Sequence, residues 1–232
     1  MSAPSNQATA PTPRIALVHA LSVSVAPITD AFAAHWPQAR TFSLMDDSLS
    51  VDLAADGAIT DAMTQRFIDL SRYCASTGAS AVQFTCSAFG ECIDAARNAV
   101  DIPVLKPDEA MIEEAFTYGP RLGAVVTFEP SVQSVCAQID GFAAKIGVRP
   151  QLDLRVAEGA LDALRAGDVA QHDRLIAQTI ASLGPCDVVM LGQYSMARAA
   201  PLARTVSTTP LLSAPEAAVR HLRELLTSAQ GA

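Results

Sequence analysis

Cys86 is the residue of this 232-residue chain best placed to do chemistry. It lies in Thr85-Cys86-Ser87-Ala88-Phe89-Gly90, directly after the apolar run Ala81–Phe84 and before a helical stretch. The free N–H groups of a helix's first turn favour a thiolate, so this position predicts a depressed thiol pKa. A thiolate can take a proton from carbon beside a carboxylate or carbonyl, or attack carbon directly. A cysteine can also serve as a small buried hydrophobe. The polar neighbours Thr85 and Ser87 argue for a site instead. A second turn, Gly192-Gln193-Tyr194-Ser195-Met196-Ala197, follows the apolar run Val188–Leu191 in the same manner.

The other four cysteines are weaker candidates. Cys74 and Cys136 fall on apolar helix faces. Cys92 comes six residues after Cys86, about 240° around a shared helix, which argues against a paired dithiol. Cys186 begins a strand whose far end carries Gln193. An odd number of cysteines without a C-x-x-C predicts reduced thiols and a cytoplasmic protein. The histidines His19, His35, His172 and His221 are scattered, so no metal site is expected. Lys106, between a short apolar run and Pro107, reads as a solvated strand-end lysine rather than a Schiff-base former. No dinucleotide fingerprint, phosphate loop, nucleophile elbow or H-E-x-x-H occurs.

Composition narrows the classes further. Half the residues are hydrophobic and the mean hydropathy is +0.25, enough to bury a core. The net charge is −8, with no basic stripe, which argues against a nucleic-acid partner. No apolar run approaches the roughly 18 residues of a membrane span. The segment Met1–Pro13 is rich in Ala, Ser, Thr and Pro and reads as a loose tail without the features of a signal peptide.

Strands are expected near 15–20, 41–45, 81–85 and 103–105, and again near 122–127, 152–156, 188–191 and 210–212. Most are short continuous apolar runs, as strands buried on both faces should be. Helical periodicity separates them. Ile59, Met63, Phe67 and Leu70 share one face, ending at Gly78; Val132, Val135, Cys136 and Ile139 share another, opened by Ser131 and closed by Gly147. A third run, through Leu175 and Ile176, is capped by Asp168, and a final helix opens with the capping box Ser213-Ala-Pro-Glu216. Alternating strands and helices predict a parallel α/β architecture.

The chain also repeats itself. Arg14-Ile-Ala-Leu-Val opens one half and Arg121-Leu-Gly-Ala-Val the other. Cys86 and Gln193, and Pro103 and Pro210, keep the same offset of 107 positions, after which the match appears to slip by one. The expected units are residues 14–106 plus 210–232 for the first half and 107–209 for the second. In open parallel sheets ligands bind beyond the carboxyl ends of the strands. Two facing halves would point both turns into one cleft, where free N–H groups suit a small carboxylate. Ser22 and Ser24 after the first strand, and Thr127 after the fifth, join Ser87, Ala88, Gln193, Tyr194 and Ser195 as substrate-binding candidates. Ser131 is explained as a helix cap. Glu129 is a base or a helix-start charge, and Phe89 and Phe128 are pocket walls or core.

The two turns, Thr85–Gly90 and Val189–Ala197, together resemble the aspartate/glutamate/hydantoin racemase superfamily. The likeness extends over nearly the whole chain after Pro13. It implies two pseudo-symmetric α/β/α halves, each with a mainly parallel four-stranded sheet, and a C-terminal helix returning to the first half. It further implies cofactor-independent chemistry in the cleft. Racemases of this kind use two cysteines, one from each turn, on opposite faces of the substrate carbon. Cys86 matches the first; Gln193 stands where the second would be, and an amide exchanges no proton at useful pKa. Tyr194 or Ser195 is a substitute acid, or Tyr194 simply shapes the cleft wall. Arylmalonate decarboxylases of the same superfamily use one cysteine, but on the second turn. The resemblance therefore predicts Cys acid/base chemistry at the α-carbon of a small carboxylate or cyclic amide. Its alternatives are a one-cysteine decarboxylase, a cis-trans isomerase, and a non-catalytic small-acid binding protein. A homodimer is the default assembly.

Overall fold

A computed structural model describes residues 12–129 and 131–228. Most of the segment read as a tail, residues 1–11, lies outside the described residues. Eight strands form two separate sheets of four, all parallel. The first contains β1 (Arg14–His19), β2 (Arg40–Met45), β3 (Ala81–Phe84) and β4 (Val104–Leu105), in the order β2-β1-β3-β4. The second contains β5 (Arg121–Val126), β6 (Gln151–Val156), β7 (Val188–Leu191) and β8 (Leu211–Ser213), in the order β6-β5-β7-β8.

The duplication holds at the level of individual strand partners. Ile15 pairs with Ala81 and Leu122 with Val188, the same spacing in both halves. Val82 pairs with Val104 and Val189 with Leu211, so the offset of 107 continues through the last strand of each sheet. The apparent slip is only a displaced proline, because Glu109 and Glu216 each fall in the first turn of the helix that follows. β8 pairs with β7, so the strand within the segment 210–232 completes the second sheet rather than joining the first half.

Three layers of helix enclose the sheets. Between them lie α1 (Val25–His35), α5 (Glu109–Tyr118), α6 (Ser131–Ile146) and α10 (Ala214–Ser228). Ile15 and Leu17 of β1, and Leu122, Ala124 and Val126 of β5, point into this shared central core with Ile28, Met111, Ile139 and Leu222. The alternate residues Ala16 and Val18 face an outer core built on α2 (Ser48–Asp56), α3 (Asp61–Ser76) and α4 (Gly90–Arg97). Val125 faces its counterpart on α7 (Ala160–Arg165), α8 (Val169–Ala181) and α9 (Ala200–Val206). Both faces of each central strand are thus apolar, which explains the continuous runs in the sequence. The edge strands β2 and β6 are half exposed and carry alternating polar residues.

α10 packs on α1, and Arg223 of α10 donates to the His35 carbonyl at 3.2 Å. Its expected capping box does not form. Ser213 is claimed by β8, its hydroxyl has no partner among the described residues, and Glu216 faces Arg204 at 3.3 Å instead. Asp168 does cap its helix, accepting from the Gln171 N–H at 3.0 Å. Gly78 closes the α3 run with φ of 80°, a left-handed conformation that favours glycine. Among the described residues no helix is long and apolar enough to cross a membrane.

Candidate active site

Loops at the carboxyl ends of strands from both sheets meet at one cavity of about 450 Å³. Its floor is made by the loops after β1, β3, β4, β5 and β7, and it gathers Ser24, Thr85, Cys86, Ser87, Ala88, Asp108, Thr127, Gln193, Tyr194 and Ser195. Ser22 stays outside it, exposed on the turn before α1. Phe128 stands at the mouth, whereas Phe89 is fully buried and packs on Phe67, which also stacks on Phe84. That aromatic trio is the apolar bed beneath the Cys86 turn.

Cys86 is half-buried and is the one cysteine lining the cavity among the described residues. Each of the two turns opens with a 3-10 segment, Ser87–Phe89 and Tyr194–Ala199, rather than directly with an α-helix. The anticipated depression of the thiol pKa is overturned. Burial pushes the Cys86 thiol up, the Ala88 N–H works against this, and the charge of Asp108 adds to the rise. The field of a single 3-10 turn does not outweigh desolvation in a lined cavity.

Behind the turn is a closed polar network. His19, at the carboxyl end of β1, is fully buried; its Nδ1 lies 2.9 Å from Thr85 Oγ1 and 3.1 Å from Ser24 Oγ. Ser24 and Thr85 have the carbonyls of Leu21 and Val18 to donate to. Ser24 Oγ and Thr85 Oγ1 also lie 2.8 Å apart, and on the other side of the ring Nε2 lies 3.2 Å from the Ser43 hydroxyl. Burial lowers the His19 pKa to about 4, so the ring is neutral near pH 7. The network joins β1, β2 and the residue preceding Cys86, and it fixes the thiol's turn.

Gln193 is equally fixed. Its Oε1 accepts from the Thr127 N–H at 2.8 Å and from Thr127 Oγ1 at 2.6 Å, while its Nε2 donates to Ser131 Oγ at 3.1 Å. The Ser131 hydroxyl, expected as a helix cap, receives the Gln193 amide. The second turn holds a spacer that ties the loops after β5 and β7 together. Gln193→Leu removes all three bonds and strands the Thr127 N–H; it is expected to lower unfolding stability by about 2 kcal/mol in urea titrations. An unchanged midpoint and slope would contradict this.

Two charged side chains of the cavity lining escape sequence inspection. Asp108, in the loop between β4 and α5, lines the cavity while 3% exposed, and its Oδ2 has no hydrogen-bond partner among the described residues. Burial raises its pKa to about 7; the Gln138 side chain opposes the shift and the charge of Glu109 adds to it. The signal for it was available: the rule that chemistry gathers at strand ends applies to β4 as much as to β3. Arg165, at the end of α7, is the cation at the mouth, beside the apolar Leu21, Val23, Leu53, Phe128 and Leu161. Tyr194 is buried, its hydroxyl has no partner among the described residues, and burial together with Asp108 pushes its pKa far up. Among the described residues no three His, Cys, Asp or Glu side chains group to hold a metal ion.

Comparison with known proteins gives a consistent picture. A family profile described as Asp/Glu/Hydantoin racemase matches residues 24–222. No curated protein matches the chain by sequence. Among solved structures, allantoin racemase from Klebsiella pneumoniae superposes with a TM-score of 0.68 at 16% identity, over 94% of this chain and 89% of that one. Glutamate racemase from Francisella tularensis, in complex with D-glutamate, gives 0.68 at 14% identity, over 94% and 82%. A glycine-to-cysteine mutant of arylmalonate decarboxylase, in a sulfate-associated form, gives 0.60 at 19% identity, over 88% and 89%. At these identities the likeness is one of fold.

Proposed function

Because the chain belongs to the Asp/Glu/hydantoin racemase family, we propose that it is an enzyme that moves a proton at the carbon next to the carboxylate or amide carbonyl of a small acid, with Cys86 as the acid/base and no cofactor. The observation that carries this reading is the setting of Cys86, half-buried on the floor of the cavity where loops from both sheets meet. The substrate's own carbonyl takes up the charge when the C–H bond breaks, and N–H groups and hydroxyls of the loops bear on it. Thr127 has both its N–H and its hydroxyl committed to Gln193, so the donors for a substrate come from the other cavity residues, among them Ser87 and Ser195.

The mouth narrows the substrate class. Leu21, Val23 and Phe128 are each more than 40% exposed and border the cavity with Leu53 and Leu161. Arg165 is exposed beside them, 4.0 Å from Asp162 at its nearest acidic neighbour. That combination suits an acid with an apolar substituent and a second anionic or polar end. Arg165→Ala is expected to raise KM about tenfold, with kcat unchanged, for an acid whose far carboxylate reaches the mouth. A kcat loss with constant KM would point elsewhere.

The test is deuterium uptake from D2O at the α-carbon across a panel of small carboxylates and cyclic amides, followed by proton NMR, with CO2 release measured alongside. Uptake without CO2 release supports racemisation or epimerisation. The locked amide of Gln193 favours one second reading, a one-thiol decarboxylase, which predicts CO2 release with a single deuteron delivered to the product. Thermal stabilisation by acids, with neither exchange nor release, would instead indicate a binding protein.

A further inference from the structure

The second thiol expected of a two-cysteine racemase is missing, yet the cavity holds another group able to exchange protons. The geometry points to Asp108 as a catalytic acid/base that shares one proton with Cys86, so that a substrate lying between the β3 and β4 loops loses its proton to one and regains it from the other. This rests on the reading of function above.

Several observations converge on Asp108. Asp108 lines the same cavity as Cys86, and its Oδ2 lies buried with no partner among the described residues. An unpartnered buried carboxyl oxygen is costly, and among the described residues Asp108 is the one carboxyl that carries such an atom. The neighbouring Glu109 is turned to other work: its carboxylate receives Arg97 at 2.8 Å and the Lys106 N–H at 3.0 Å. Lys106, two residues earlier, is held by Asp94 at 2.6 Å. Gln83, buried in β3, donates to the Lys106 carbonyl at 3.1 Å and anchors the start of the Asp108 loop to the strand that carries Cys86. Among the described residues no cation is therefore committed to Asp108. The groups that feel its charge are Cys86 from the β3 loop and Tyr194 from the β7 loop, while Glu109 and the neutral Gln138 of α6 bear on it in return.

Burial raises Asp108 to about 7 and pushes the thiol upward, so as pH climbs past 7 the carboxyl gives up its proton first and the pair keeps one, on sulfur. In that state the Asp108 carboxylate takes the α-proton: the C–H bond breaks, an O–H bond forms, and the electron pair moves into the substrate carbonyl. The Cys86 S–H then gives its proton to the carbon, leaving a thiolate. The cavity now holds carboxylic acid and thiolate, the state that acts on the opposite enantiomer in reverse. It also returns to the first state by proton exchange through the open mouth. Tyr194, too weak an acid to take part, walls the pair.

The first test needs no substrate. The alkylation rate of Cys86 by iodoacetamide, followed by mass spectrometry from pH 5.5 to 10, reads the thiolate fraction. Asp108→Asn removes the neighbouring charge and is expected to speed alkylation about tenfold at pH 8, one unit of thiol pKa. Superimposable curves for both proteins overturn the pairing. If Asp108→Asn does not fold, the wild type decides alone: its curve must carry a shoulder near pH 7, where Asp108 ionises, and a single-step curve overturns the proposal. With an acid that exchanges deuterium, Asp108→Asn is expected to lose at least about 100-fold in kcat at unchanged KM and to lose the pH-rate limb near 7. Wild-type turnover in Asp108→Asn overturns the catalytic role and leaves the Cys86 reading standing. Absence of exchange in the wild type for every acid tested overturns that reading, and the catalytic role of Asp108 with it, whatever the alkylation curves show.

Discussion

Cys86→Ser is expected to lower α-carbon deuterium exchange by at least about a thousandfold while leaving the protein folded. The substitution changes one atom. Serine fits the space of cysteine, and Cys86 is only partly buried against the outer core of Phe67, Phe84 and Phe89. What disappears is a group that exchanges protons within reach of neutral pH. A hydroxyl in the same desolvated position has no usable anion, and the Ala88 N–H that favours the thiolate does not repair the difference. The loss should appear in kcat, since the substrate contacts proposed for the loops and for Arg165 are untouched. Far-UV circular dichroism and a urea midpoint close to wild type would separate lost chemistry from lost structure. Exchange within tenfold of wild type in Cys86→Ser would remove Cys86 from the mechanism.

The second large effect concerns stability against pH, where two buried groups pull in opposite directions. His19 has its pKa lowered to about 4 by burial. The unfolded chain binds a proton there below about 6.5, so stability falls as pH drops from 6.5 to 4, by about 3 kcal/mol in full. Asp108 is raised to about 7. Its folded form prefers the proton, so its contribution is complete below the unfolded carboxylate pKa. That contribution is lost as pH climbs toward 7, by on the order of 4 kcal/mol. The two slopes nearly cancel between pH 4 and 6.5, and the wild-type curve should be flat there. Asp108→Asn removes one of them. The variant's stability should rise by about 3 kcal/mol over that interval, and at pH 8 it should exceed wild type by about 2 kcal/mol after the burial of an unpartnered amide is set against it. Urea titrations at pH 4, 5.5, 6.5 and 8 would measure this. Parallel curves for the two proteins would show that Asp108 does not carry the raised pKa.

The sequence made the scaffold readable because both faces of the central strands are buried. Ile15 and Leu17 face one core, Ala16 and Val18 another, and the result is an unbroken apolar run. The offset of 107 was visible for the same reason: equivalent strands need equivalent punctuation, as Pro103 and Pro210 show by each accepting from the strand beside it. Shorter elements were hidden. α7, α9 and the half-exposed α2 are too brief to establish a period. Ser213 looked like a cap because local pattern cannot foresee that β8 will take it. The candidate site was legible where residue type and strand-end position draw the eye, as with the placing of Cys86 in the cavity, and illegible where environment sets a group's properties. Nothing in Pro107-Asp108-Glu109 says which carboxylate will be buried and which will meet Arg97. The rise of the thiol pKa has the same origin, since desolvation is set by residues far away in the chain.

The pairing of α1 with α10 also bears on biosynthesis. Arg223 meets His35 across 188 positions, and the apolar faces of both helices close the same core. While the polypeptide is still emerging from the ribosome, α1 has no α10 to pack against, however early β1 and β3 have met. Long-range closure of this kind slows folding and leaves apolar surface uncovered in the meantime. A stalled nascent chain ending near residue 200 should therefore remain protease-sensitive around α1, and acquire resistance only once the last helix has cleared the exit tunnel.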